Sequence, residues 1–172
     1  MPEPLNASDA TPGGSPGADL STGPWSVAPS VDAAASSSEP LPPPLPLCAS
    51  DALAERGRAW TWDVRDRHGP VRAFALRFDG RVVAYLNRCA HVATEMDWQE
   101  GEFLDMDRRW IVCAVHGAAY EPLDGLCVAG PCAGARLTPL DVREERGVVT
   151  WYPSRAVGPA DLADPASTRS PR

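Results

Sequence analysis

Cys89-Ala-His91 and Cys113-Ala-Val-His116-Gly117 are the two stretches of this 172-residue chain whose residue types and spacing can do chemistry. Each offers one thiolate and one imidazole from a short loop, and twenty-one residues separate His91 from Cys113. Two such loops facing each other enclose a four-ligand site. Thiolates suit iron bound to sulfide, while imidazole suits iron or zinc. Two chemistries are therefore open. One is a two-iron, two-sulfide cluster, in which Cys89 and Cys113 would hold one iron and His91 and His116 the other. The other is a structural zinc ion, for which two cysteines and two histidines are a common set. In the cluster, two neutral imidazoles in place of two anionic thiolates remove negative charge and raise the potential.

The elements that must position these loops read as β. Trp60, Trp62 and Val64 alternate with Thr61, Asp63 and Arg65, the period of a half-buried strand. Phe74, Leu76 and Phe78 repeat the pattern, and Asp79-Gly80 follows as a two-residue hairpin turn, because both central positions need positive φ. The return strand, residues 81–87, delivers the chain to Cys89. Residues 95–109 are polar with few β-branched side chains, an excursion between strands. Trp110-Ile-Val-Cys113 is a short strand leading into the second loop. Tyr120 to Val128, turning at Asp124-Gly125, forms another hairpin. Residues 140–143 and 148–151, joined near Gly147, close the domain as an antiparallel pair. Ser50 or Asp51 is placed to cap one helical turn over Ala52-Leu-Ala-Glu. Short strands with frequent turns fit a small sandwich or open barrel.

Composition divides the chain. Residues 1–48 are low in complexity (Thr11-Pro-Gly-Gly-Ser-Pro-Gly, Ala33-Ala-Ala-Ser-Ser-Ser, Leu41-Pro-Pro-Pro-Leu-Pro) and are expected to be a disordered tail. The folded domain is expected over 49–153, with a second disordered tail over 154–172. Trp25 and Cys48 fall in or beside the first tail and read as incidental. The formal net charge is -7 and no Lys/Arg run forms a phosphate-binding face, so nucleic acid is not an expected partner. No apolar run is long enough to span a membrane, and the N-terminus lacks a basic segment and apolar core, so a cytoplasmic location is expected. Five cysteines without an export signal point to metal binding rather than a disulfide framework.

The paired Cys-x-His and Cys-x2-His-Gly motif resembles that of Rieske [2Fe-2S] proteins of the soluble, ferredoxin-like type, over about residues 60–153. Gly117 fits the glycine after the second histidine, and Gly130-Pro131 matches that family's proline loop over the cluster. The resemblance implies an all-β, three-layered antiparallel sandwich with both metal loops at the tip of a cluster-binding subdomain. It implies one [2Fe-2S] cluster per chain, on Cys89, His91, Cys113 and His116, with the histidines near the surface where a redox partner docks. The chain departs from the respiratory members. Thr94 and Val115 stand where those carry a bridging cysteine pair, and Ala118 stands where they carry a serine. Tyr120 matches their tyrosine. This mixture predicts a potential in the lower half of the roughly −150 to +300 mV Rieske span. The gap before Cys113 is longer than in most ferredoxin-type members, with 97–104 as an enlarged loop.

Cys127 and Cys132 flank the proline loop. They read as small, partly buried thiols, with a loop-closing disulfide or redox relay as the alternative. His68, beside Gly69-Pro70, reads as a solvated turn residue, and the six tryptophans as packing. There are three histidines. With two on the cluster, His68 alone cannot supply a two-histidine mononuclear iron site, so the expectation is a monomeric electron-transfer protein rather than a catalyst. Its implied role is the ferredoxin component of an oxygenase system, between a reductase and a terminal acceptor. A structural zinc module and a cluster-based redox-sensing or regulatory protein are the alternatives.

Overall fold

The structure, a computed structural model, describes residues 40–160. Residues 1–39 and 161–172, most of the two tails expected over 1–48 and 154–172, lie outside the described residues, as does Trp25. Among the described residues, ten strands form three antiparallel sheets. The first joins β1 (Leu45–Ala49), β9 (Val148–Tyr152) and β8 (Asp141–Glu145) in that order. The middle sheet runs β10 (Val157–Pro159), β2 (Trp60–Asp66), β3 (Gly69–Phe78), β4 (Arg81–Leu86). The third is the small set β5 (Ile111–Val112), β6 (Ala119–Tyr120) and β7 (Cys127–Ala129).

Period-two alternation on β3 and β4 builds the layers. Phe74, Leu76, Phe78 and Tyr85 face one side and pack with Phe103, Ile111, Cys113 and Tyr120 of the small subdomain. Ala73, Ala75, Ala84 and Leu86 face the other side and pack on Trp151, Val149 and Leu53. The middle sheet is therefore covered on both faces, which is why Ala73 to Leu76 are all buried. Small alanines on one face let the first sheet approach closely, while the aromatic face supports the two Cys/His loops. Phe103 stacks on Phe74 with centroids 3.7 Å apart, pinning the 87–110 excursion to the sheet.

The Asp79-Gly80 turn has the expected pair of positive φ values, 49° and 72°, as does Arg146-Gly147 with 52° and 79°. His68 sits in the β2–β3 turn, where its side chain accepts a hydrogen bond from Arg67 Nε at 2.8 Å.

Three expectations are corrected. The folded domain begins before residue 49, because β1 pairs with β9 from Leu45 onward. Pro46 falls in the run expected to be disordered, yet β1 is an edge strand, and a bulge follows Pro46 where its missing N–H is tolerated. Cys48 thus belongs to a strand and not to a tail. At the other end β10 extends the domain to Pro159, with Val157 buried against the β2 side. Finally, the helical turn is a single 3-10 turn over Ser50–Ala52. Ser50 does not cap it, because its hydroxyl bonds to Glu144 and accepts from Arg77 Nη2.

Candidate metal centre

The two loops leave adjacent sheets and are tied at their roots. After β4 the chain turns inward: Cys89 N–H donates to the Thr94 carbonyl at 3.0 Å, which curls the first loop around His91. In the second loop, Cys113 N–H donates to the Ala118 carbonyl and Gly117 N–H returns to the Cys113 carbonyl, both at 2.8 Å. Gly117 closes this turn at φ 68°, a conformation glycine adopts without strain. Ala114 N–H donates to the Met96 carbonyl at 2.8 Å and locks the loops to each other.

Asn87 fixes the approach to the first loop. It is 1% exposed, accepts from Met96 N–H at 2.8 Å and donates to Asp97 Oδ1 at 2.6 Å. Asp97 in turn accepts from Gly101 N–H. A buried asparagine is tolerated because its amide is satisfied. Sequence reasoning did not single it out; the available signal was an amide directly ending an apolar strand two residues before Cys89.

The four side chains divide two by two. Cys89 and Cys113 are 3% and 0% exposed, and each influences the titration of the other. His91 and His116 are exposed, with ring centroids 5.1 Å apart and planes at 84°. Among the described residues no three His, Cys, Asp or Glu side chains converge as a single metal ion requires. Sulfur paired with sulfur and nitrogen paired with nitrogen is the donor pattern for a binuclear centre, and the residues present fit one.

Backbone donors face the sulfurs. The N–H groups of His91 and Val92 point at Cys89, and those of Val115 and His116 at Cys113. Burial pushes the Cys89 thiol up, but the Tyr120 hydroxyl and these N–H groups more than offset it and hold it below the ordinary thiol value. Burial dominates at Cys113 and, with the neighbouring Cys89, pushes it up. Such N–H donors favour the charged sulfur that binds metal.

Tyr120 is fully buried, and its hydroxyl lies 3.1 Å from Cys89 Sγ while accepting the Ala90 N–H at 3.1 Å. Burial, with contacts to Cys132 and Cys89, raises its pKa far above the usual range, so it stays protonated and can donate. Ala118, where a serine hydroxyl would sit in respiratory proteins, is buried and offers no side-chain donor. The Gly130-Pro131 loop reaches the second metal loop: a Cβ on Gly130 would lie 2.8 Å from Ala118 Cα and 3.1 Å from the Gly117 carbonyl. His68 lies in the β2–β3 turn, where its ring is engaged by Arg67.

The sequence matches the family model for the Rieske [2Fe-2S] domain over residues 44–152, more than half of the chain. No curated protein sequence matches it. Among solved structures, the ferredoxin of carbazole 1,9a-dioxygenase from Nocardioides aromaticivorans IC177 superposes with TM-score 0.51 at 19% identity, covering 66% of this chain and all of that one. The terminal oxygenase of carbazole 1,9a-dioxygenase from Novosphingobium sp. KA1 gives TM-score 0.51 at 25% identity, over 74% of this chain and 34% of that one. A reduced complex between oxygenase and ferredoxin in carbazole 1,9a-dioxygenase gives TM-score 0.50 at 20% identity, over 63% of this chain. The match spans 28% of that chain's own length, so the fold is shared with one part of a larger protein. No helix among the described residues is long and apolar enough to cross a membrane.

Proposed function

Since this chain belongs to the Rieske [2Fe-2S] domain family, we propose that it is a one-electron carrier whose redox partners are a reductase and a terminal acceptor. The family's cofactor is a [2Fe-2S] cluster. Cys89 and Cys113 would hold one iron, and His91 and His116 the other. The observation that carries this reading is the division of the site, with two thiols buried together and two imidazoles exposed together.

The cluster supplies a centre that takes up and releases one electron. The chain's own residues set how readily it does so. Backbone N–H groups and the Tyr120 hydroxyl, aimed at the sulfurs, favour the state with more negative charge. Buried Ile111, Ala118 and Tyr120 exclude water from the sulfur side. Val92 and Val115, about half exposed, flank the histidines and give a partner an apolar rim. With His91 and His116 committed, only His68 remains, so the reading is a ferredoxin component rather than the oxygenase itself.

Iron and sulfide analysis with visible and electron-resonance spectra of the purified protein tests this. Two irons and two sulfides per chain, in a coloured protein that a flavin reductase can reduce, are expected. A colourless protein containing zinc would overturn it.

A further inference from the structure

Cys127 and Cys132, on either side of the Gly130-Pro131 loop, are not needed as cluster ligands. Their Sγ atoms nevertheless lie 2.8 Å apart, closer than unbonded sulfurs normally keep, and both thiols are free. The backbone holds them there. Cys127 N–H donates to the Ala135 carbonyl at 2.7 Å, Gly134 N–H to the Cys127 carbonyl at 2.8 Å, and Ala135 N–H to the Cys132 carbonyl at 2.9 Å. The segment folds back on itself with both sulfurs inside. Closing them to a covalent bond of about 2.05 Å needs less than about one ångström of travel. Cys132 Sγ also lies 3.1 Å from the Tyr120 hydroxyl, which touches Cys89 Sγ at 3.1 Å.

We propose that Cys127 and Cys132 form a dithiol–disulfide redox site, oxidised by small peroxides, whose state Tyr120 relays to the Cys89 ligand. Cys132 is 8% exposed against 2% for Cys127, so it meets the oxidant first. Its sulfur attacks one peroxide oxygen, the O–O bond breaks, and the other oxygen leaves as water with the thiol proton, giving a sulfenic acid. Cys127 sulfur then attacks Cys132 sulfur. The S–O bond breaks and the hydroxyl departs as a second water with the Cys127 proton. Two thiols and one hydrogen peroxide thus give one disulfide and two waters, with two electrons passing to the peroxide. A dithiol reductant reverses this by exchange and becomes a disulfide itself. Burial and the contact with Cys132 push the Cys127 thiol up to about 11, so its proton has to leave as its sulfur attacks.

The relay follows from donor counting. As a thiol, Cys132 can donate to the Tyr120 oxygen and so strengthen the bond that Tyr120 donates to Cys89. A disulfide has no S–H, leaving Ala90 N–H as the donor to that oxygen. Oxidation therefore weakens the Tyr120 bond and lowers the potential of the centre. This relay rests on the cluster reading above, whereas the sulfur pair itself does not.

The test treats the full-length iron-loaded protein with stoichiometric hydrogen peroxide, alkylates the remaining thiols after denaturation and maps the peptides by mass. A peptide carrying both Cys127 and Cys132 unalkylated, lighter by two hydrogens and restored by dithiothreitol, is expected. Cys127→Ser should instead leave a Cys132 sulfenic acid that a dimedone-type probe traps. Voltammetry should show a downward shift on oxidation that reverses on reduction and is lost in Cys132→Ser. Both cysteines alkylated after treatment, or Cys132 overoxidised without a bridge, would overturn the site. A bridge with an unmoved potential would overturn the relay. A bridge formed in protein that binds no iron would sustain the thiol site while removing the cluster reading.

Discussion

The Tyr120 hydroxyl lies 3.1 Å from Cys89 Sγ. A donor to a metal-bound thiolate stabilises the more negative, reduced state. Tyr120→Phe should therefore keep the cluster and lower the midpoint potential by roughly 40 to 80 mV, the one-electron equivalent of about 1–2 kcal/mol of lost hydrogen bonding. Protein-film voltammetry reads the shift, and an unchanged midpoint would remove Tyr120 from the tuning of the centre.

At Gly130 the backbone has φ 93° and a Cβ would collide with Ala118 Cα at 2.8 Å. The obstacle is backbone, which cannot swing aside as a side chain can. Gly130→Ala should cost about 1–3 kcal/mol and lift the proline loop from the second metal loop. Thermal unfolding measures the first effect. Faster loss of visible absorbance to an iron chelator measures the second.

Arg88 precedes Cys89 and pairs with the nearly buried Asp66 carboxylate at the end of β2. Burial works against the Asp66 charge, but Arg88 and the His68 N–H outweigh it, so its carboxyl titrates below the usual range. A depressed folded-state pKa means the stabilisation is fully present above the unfolded value of about 3.9 and is lost as pH falls through the lower folded value. Asp66→Asn should cost on the order of 1 kcal/mol near neutrality, and the gap from the parent protein should close in strong acid. Denaturant titrations at several pH values show whether it does.

Exposed His91 admits a ligand swap without disturbing the core. His91→Cys should retain iron and lower the potential, because an anionic ligand replaces a neutral one. A midpoint equal to that of the parent protein would take His91 off the ligand set.

Much of this architecture was legible because it rests on local rules. Alternation over Trp60–Val64 and Phe74–Phe78, and glycine-containing turns at 79–80 and near 147, specify strands and their connections through single-residue geometry. The Rieske resemblance agrees with the family match over 44–152 and with the three antiparallel sheets. What escaped depends on contacts between distant residues. Pro46 looks like tail until β9 pairs beside it, and the Asn87–Asp97 bond needs a ten-residue loop to fold back. The closeness of Cys127 and Cys132 to Tyr120 likewise follows from the β6–β7 pairing, which places Tyr120 opposite Cys127.

The thiols face the protein and the imidazoles face the solvent. A carrier built this way has one door. On the proposed reading, donor and acceptor would use it in turn, since whichever docked over His91 and His116 would block the other. Such a protein works as a shuttle that lets go between loading and delivery, and its throughput is set by how fast each partner departs.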